Sequence, residues 1–128
     1  MSRLIAILFL TLVAALPVRA VELIMVEQPG CAYCAAWDKT IAPIYPKTDA
    51  GAFAPLRRAD LRAGPPEGIT YAYPARFTPT FILVGDDGHE LARIEGYPGE
   101  DFFWGLLEKI LTEKTNFTAG LPKPVVTN

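Results

Sequence analysis

Both cysteines of the chain fall in one six-residue stretch, Pro29-Gly30-Cys31-Ala32-Tyr33-Cys34. It follows a short apolar run and precedes a helical pattern. On one turn of helix, residues three apart have Cβ atoms about 5–6 Å from each other. A disulfide needs Cα atoms about 4.4–6.8 Å apart. A helix start can therefore hold the pair as two thiols or as one disulfide with little backbone movement. Free amide N–H groups and the macrodipole favour negative charge at a helix start, and thiolate is the reactive form of cysteine. The spacing predicts two unequal sulfurs: Cys31 as an exposed attacker and Cys34, one turn further in, as a shielded resolver. Pro29 and Gly30 suit the tight turn and leave little bulk beside Cys31.

The address of the chain narrows the chemistry. Arg3 is followed by an apolar run from Leu4 to Leu16, broken only by Thr11, and then by Val18-Arg19-Ala20. This is the pattern of a secretory signal peptide cleaved after Ala20, and the run is shorter than the ~20 residues of a membrane span. Export places the two cysteines where disulfides persist. A structural disulfide closing so short a loop would constrain the unfolded chain little. Two residues between cysteines is a redox spacing or a metal spacing.

Of 128 residues, 51% are hydrophobic, enough for one domain, expected over residues 21–115, with a loose tail over 116–128. Loss of Arg3 and Arg19 with the leader moves the formal charge from −2 to −4, ten Lys and Arg standing against fourteen Asp and Glu. A mildly acidic domain without a basic patch excludes nucleic acid as the expected partner. No glycine-rich phosphate loop, paired carboxylate site or Ser/His/Asp set is present, and no bound cofactor is expected.

The mature chain alternates strand and helix signals. Val21 to Val26 reads as a buried strand. A helix follows from Cys31 with Cys34, Trp37, Ile41 and Ile44 on one face, ended or kinked by Pro43 and Pro46. Trp37 reads as core or as a wall beside the cysteines. Thr48 to Ala54 reads as a connection, and Leu56 to Leu61 as a strand whose Arg57-Arg58 pair marks an exposed face or a sheet edge. Arg62 to Gly68 is loop, and Ile69 to Phe77 is loop or a short helix. Thr80 to Val84 and Glu90 to Ile94 form a hairpin about Gly85-Asp86-Asp87-Gly88, with Leu91 and Arg93 on opposite faces. A last helix runs from about Glu100 to Glu113, with Phe103, Leu106, Leu107, Ile110 and Leu111 as its apolar stripe. Of Phe102, Phe103 and Trp104, one is expected to be exposed. The expected architecture is α/β: a central mixed sheet with helices on both faces.

A CxxC after the first strand, followed downstream by Thr78-Pro79-Thr80 before a buried strand, resembles the thioredoxin superfamily. The resemblance implies a thioredoxin-like fold and thiol–disulfide oxidoreductase activity. It implies that Pro79 is cis and lies against the active disulfide, and that Thr78 offers backbone groups to an incoming peptide. Beyond those generic motifs, the exported leader, Trp37-Asp38, the run Ile41 to Pro46, Phe77 to Phe81 and above all Gly96 to Trp104 are similar to the periplasmic thioredoxins of bacterial sulfur-oxidation systems. That similarity covers nearly the whole mature chain. It implies a reductant for a sulfur-carrier protein with a reactive cysteine near its C-terminus, itself recharged by a membrane thiol–disulfide electron carrier.

Two positions depart from thioredoxins. The buried acid six residues before the first active cysteine, the proton acceptor for the resolving thiol, is replaced by Met25. Glu27 is the nearest acid and the candidate for proton transfer, either directly or with water in its place. The Ala32-Tyr33 pair between the cysteines resembles glutaredoxin more than thioredoxin, which leaves a glutathione-linked route open and makes Tyr33 a candidate substrate contact. An oxidase or isomerase remains a rival, because reduction potential sets direction and tens of millivolts decide it. A Cu(I) or zinc carrier on the two thiolates is the non-enzymatic rival. His89, the only histidine, lies at the far hairpin turn and reads as solvated.

Overall fold

The computed structural model describes residues 20–119. The expected signal peptide, up to residue 19, and most of the expected tail lie outside the described residues. Four strands form one sheet in the order β2-β1-β3-β4, where β1 is Glu22–Glu27, β2 Leu56–Asp60, β3 Thr80–Val84 and β4 Glu90–Glu95. β2 runs parallel to β1, while β1–β3 and β3–β4 are antiparallel. The uninterrupted apolar runs Leu23 to Val26 and Phe81 to Val84 occupy the two central strands, where both faces of a strand are covered. The strand carrying Arg57 and Arg58 takes the edge. No helix among the described residues is long and apolar enough to cross a membrane.

The helices are α1, Ala32–Thr40, α2, Asp49–Phe53, and α3, Glu100–Lys114, with a 3₁₀ turn at Tyr45–Lys47. All contribute to one core on one face of the sheet. There Leu23, Met25, Phe81 and Leu83 meet Trp37, Tyr45, Phe103, Leu107 and Leu111. The rings of Trp37, Phe81 and Phe103 are mutually packed, with centroids 4.9–5.7 Å apart. Trp37 is thus core and completely buried.

The opposite face departs from the expectation of helices on both sides. Ile24, Val26, Ala59, Ile82 and Val84 are covered by Leu61, Ile69, Tyr71 and Ala75, all from the irregular connection between β2 and β3. That connection is short of helical periodicity because Pro and Gly punctuate it throughout, and its backbone finds partners on β4 instead. Thr70 N–H donates to the Gly88 carbonyl, and the Glu90 amide donates to Thr70 O. A bulge in β4 supports this arrangement. Val84 faces Glu90 while Leu83 faces Ala92, so Leu91 is the extra residue. The bulge places Leu91 in the helix-side core and brings Glu90 and Arg93 onto the other face. Their side chains, 5% and 6% exposed, form a bidentate pair. Arg93 also donates to Tyr73 O at 2.7 Å and lies 3.6 Å from the Tyr73 ring centroid. Glu90 accepts the Ala72 amide.

Three further expectations are corrected. α1 ends at Thr40, ahead of the Pro43 break, so Ile44 falls out of the helical phase and is 40% exposed, while Tyr45 turns inward. Thr48 to Ala54 is no plain connection: Thr48 caps α2 by accepting the Gly51 amide, and donates to Tyr45 O. In α3 the buried stripe is Phe103, Leu107 and Leu111, at steps of four, and Leu106 lies on its flank, 38% exposed. Phe102 is the exposed member of the aromatic trio. Phe117, beyond the expected domain limit, is buried and packs its ring 5.2 Å from Phe53.

Candidate active site

The site forms where β1 gives way to α1. Glu27 ends the strand, and Gly30 takes a left-handed φ of 77°, a conformation that costs glycine no steric penalty. Cys31 then stands at the N-cap of α1 with extended backbone. Its Sγ accepts the Cys34 amide N–H at 3.1 Å, the bond a capping side chain normally makes with oxygen. The two cysteines are joined as a disulfide with Cα atoms 5.2 Å apart. Cys31 is partly exposed, and Cys34 is 5% exposed. The predicted asymmetry of the two sulfurs is present in the fold.

The second wall comes from the start of β3. The Thr78–Pro79 peptide bond is cis. Pro79 is buried, and its carbonyl accepts the Gly96 amide at 2.7 Å. Val26 pairs with Thr80 across β1 and β3, which brings Pro79 to the strand end from which the cysteine loop departs. The Gln28 side-chain amide donates to the Thr78 hydroxyl at 3.0 Å, tying the two loops together. Among the described residues, the Thr78 backbone N–H and C=O have no hydrogen-bond partner. Tyr33 and Phe77 flank the two loops and are 66% and 60% exposed.

Glu27 is not an isolated acid. Its carboxylate takes Nη1 of Arg58 at 2.7 Å, and Asp38 takes Nη2 of the same guanidinium at 2.7 Å. Arg58 lies 5.9 Å from the Trp37 ring centroid and 3.8 Å from Met25 Sδ. Hydrogen bonding to Asp38 and then to Glu27 holds the guanidinium proton above its ordinary affinity, against the opposing cost of burial. A cavity of about 460 Å³ opens beside this cluster, lined by Glu27, Asp38, Arg58, Asp60 and the inner sulfur residue, Cys34.

Cys31, Cys34, Thr78, Pro79, Tyr33 and Glu27 therefore converge on one end of the sheet, while His89 is exposed at the distant hairpin. Gln28, Asp38 and Arg58 were not anticipated at the site. The one signal for Arg58 is its place on β2 opposite Met25, visible only once the parallel register is known. Among the described residues no group of three or more His, Cys, Asp and Glu gathers as metal ligands. A metal on the cysteine pair would need its remaining ligands from elsewhere.

A family model described as a thioredoxin-like domain matches residues 14–111. The chain belongs to the thioredoxin-like family. The fold and the CxxC pair make it a thioredoxin-like thiol–disulfide oxidoreductase. It is similar to the crystal structure of the reduced periplasmic thioredoxin SoxS from Paracoccus pantotrophus. The identity is 50%, over 73% of this chain and 97% of that one, with a TM-score of 0.70. A thioredoxin from Malassezia sympodialis, Mala s 13, is 17% identical over 72% of this chain and 77% of its own, with a TM-score of 0.47. No curated protein matches the chain.

Proposed function

We propose that this thioredoxin-like protein is a periplasmic reductant of a protein disulfide, its client a sulfur-carrier protein of a sulfur-oxidation system. The observation that carries the reading is the pairing of an accessible Cys31 with a buried Cys34 at a helix start, tied by Gln28 to a cis-proline loop. The 50% identity to a periplasmic thioredoxin supports the location, and the client class rests on the sequence resemblance carried above all by Gly96 to Trp104. In the reduced protein, Cys31 thiolate attacks a client sulfur and forms a mixed disulfide. The unpaired Thr78 backbone lies beside it to hold the client chain in extended pairing, with Tyr33 as a flanking contact. Cys34 then attacks Cys31, releases the reduced client, and closes the Cys31–Cys34 bond. A membrane thiol–disulfide carrier restores the dithiol.

Cys34→Ser, expressed in the native host, should accumulate a covalent complex with the carrier protein, seen by non-reducing electrophoresis and mass spectrometry. Cys31→Ser should accumulate none. Equal behaviour of the two variants would refute the assigned roles. A glutathione-linked route is favoured by one feature, the exposed Tyr33 beside Cys31. Turnover with glutathione as the sole reductant would establish that route.

A further inference from the structure

Gln28 bridges the two loops of the site through two different groups. Its backbone carbonyl accepts the Cys31 amide at 3.4 Å, in the turn that carries the outer sulfur. Its side-chain amide donates to the Thr78 hydroxyl at 3.0 Å, across 50 positions of sequence, in a setting partly sheltered from water. Thr78 is clamped on its other sides as well. The carbonyl before it, Phe77 O, accepts the hydroxyl of the fully buried Thr80 at 2.7 Å. The carbonyl after it, Pro79 O, accepts the Gly96 amide at 2.7 Å. With both neighbouring carbonyls engaged, the Thr78 N–H and C=O stand open to a visiting chain. Two of these three ties lead into β3 and the turn after β4, whereas the Gln28 tie leads to the cysteine loop.

We propose that Gln28 is a positioning residue for attack on peptide disulfides, setting the span between the Cys31 sulfur and the Thr78 backbone. The proposal rests on the oxidoreductase reading above and on Thr78 as the group that pairs with the client. The physical need is alignment. The Cys31 thiolate forms a bond to one client sulfur while the client S–S bond breaks and its electron pair leaves on the other sulfur. Cys34 then displaces the client from Cys31, its proton passing to solvent, so that the dithiol gives up two electrons and two protons in all. A client chain paired to Thr78 presents its sulfur at a point fixed by Thr78, not by Cys31. The two points agree only if the loops keep their spacing, and a misplacement of about 1 Å can cost about 10²-fold in rate. Without the Gln28 bond the loops must be ordered against each other at each encounter, and that ordering opposes binding. A small disulfide without peptide groups makes no use of Thr78 and takes its alignment from Cys31 alone. Gln28 thereby favours polypeptide clients over small disulfides.

Two probes with one leaving group separate these cases: thionitrobenzoate joined by a disulfide either to a short uncharged peptide with one central cysteine or to 2-mercaptoethanol. Rapid mixing with the reduced protein releases coloured thionitrobenzoate as Cys31 attacks. The quantity read is the ratio of the two second-order rate constants, peptide over mercaptoethanol. Gln28→Met and Thr78→Val, each of which deletes one partner of the bond, should lower that ratio about tenfold or more. The double variant should be no worse than either single, because all three lack the same bond. Gln28→Glu, whose carboxylate accepts the Thr78 O–H, should recover much of the ratio. A ratio left at the wild-type value in Gln28→Met, or losses that multiply in the double variant, overturn the proposal. So does a wild type that prefers neither probe, since Thr78 would then hold no client. Release from neither probe by the wild type would refute the oxidoreductase reading itself. If Gln28→Met does not fold, the ratio in Thr78→Val decides in its place.

Discussion

Tyr45 shows how a single hydroxyl ties the core to the chain that leaves it. The ring is buried against Trp37 and Trp104, and its O–H donates to the Ala54 carbonyl at 2.6 Å. Burial pushes the phenol well above its ordinary value near 10. The sign follows from linkage: the unfolded chain gives up this proton more readily than the folded one. The contribution is complete below about pH 10 and is lost as pH rises beyond it. Tyr45→Phe should lose about 1 kcal/mol at neutral pH through the orphaned carbonyl. In urea titrations from pH 8 to 11 it should also show a shallower alkaline decline than wild type. At this scale the cysteine pair was legible in the sequence because its chemistry is written in local spacing, and Pro79 was legible only through the family resemblance that the pair supports. Arg58 was not, since its two partners, Glu27 and Asp38, lie 31 and 20 residues away.

Elements were legible in proportion to their length. The fifteen residues of α3 carry four turns of pattern, and the buried runs of β1 and β3 admit one reading. α2 has five residues, too few for a stripe, and only the Thr48 cap betrays it. This short helix rests on a close approach: a Cβ added at Gly51 would land on the Tyr45 carbonyl. Gly51→Ala should therefore destabilise by about 1–3 kcal/mol, the usual cost of overpacking, even though alanine is the better helix former. Thermal denaturation of the variant checks this. A neutral or stabilising result would mean that α2 shifts freely off the 3₁₀ turn.

At the scale of the whole molecule, the sheet is covered by helices on one face and by an irregular chain on the other. The sequence did not reveal that second cover because it has no period. Its anchors are Glu90 and Arg93, which only a bulge brings together. Removing one partner of a buried pair leaves a stranded charge, at a cost of about 3–5 kcal/mol. Arg93→Met should lose stability on that order and speed amide exchange over residues 70–73. The double variant Glu90→Met/Arg93→Met should be more stable than Arg93→Met alone. A double variant as weak as the sum of the singles would show that the pair is not the anchor.

The connection that roofs the sheet also ends in Thr78 and Pro79. Insulation of the interior and, on the function proposed above, reception of the visiting polypeptide thus fall to the same nineteen links, Leu61 through Pro79. Altering which visitors are admitted, by changing residues in this span, will alter how well the interior is sealed. Drift toward new clients in such a protein should accordingly be accompanied by repairs along β4, where the roof is fastened.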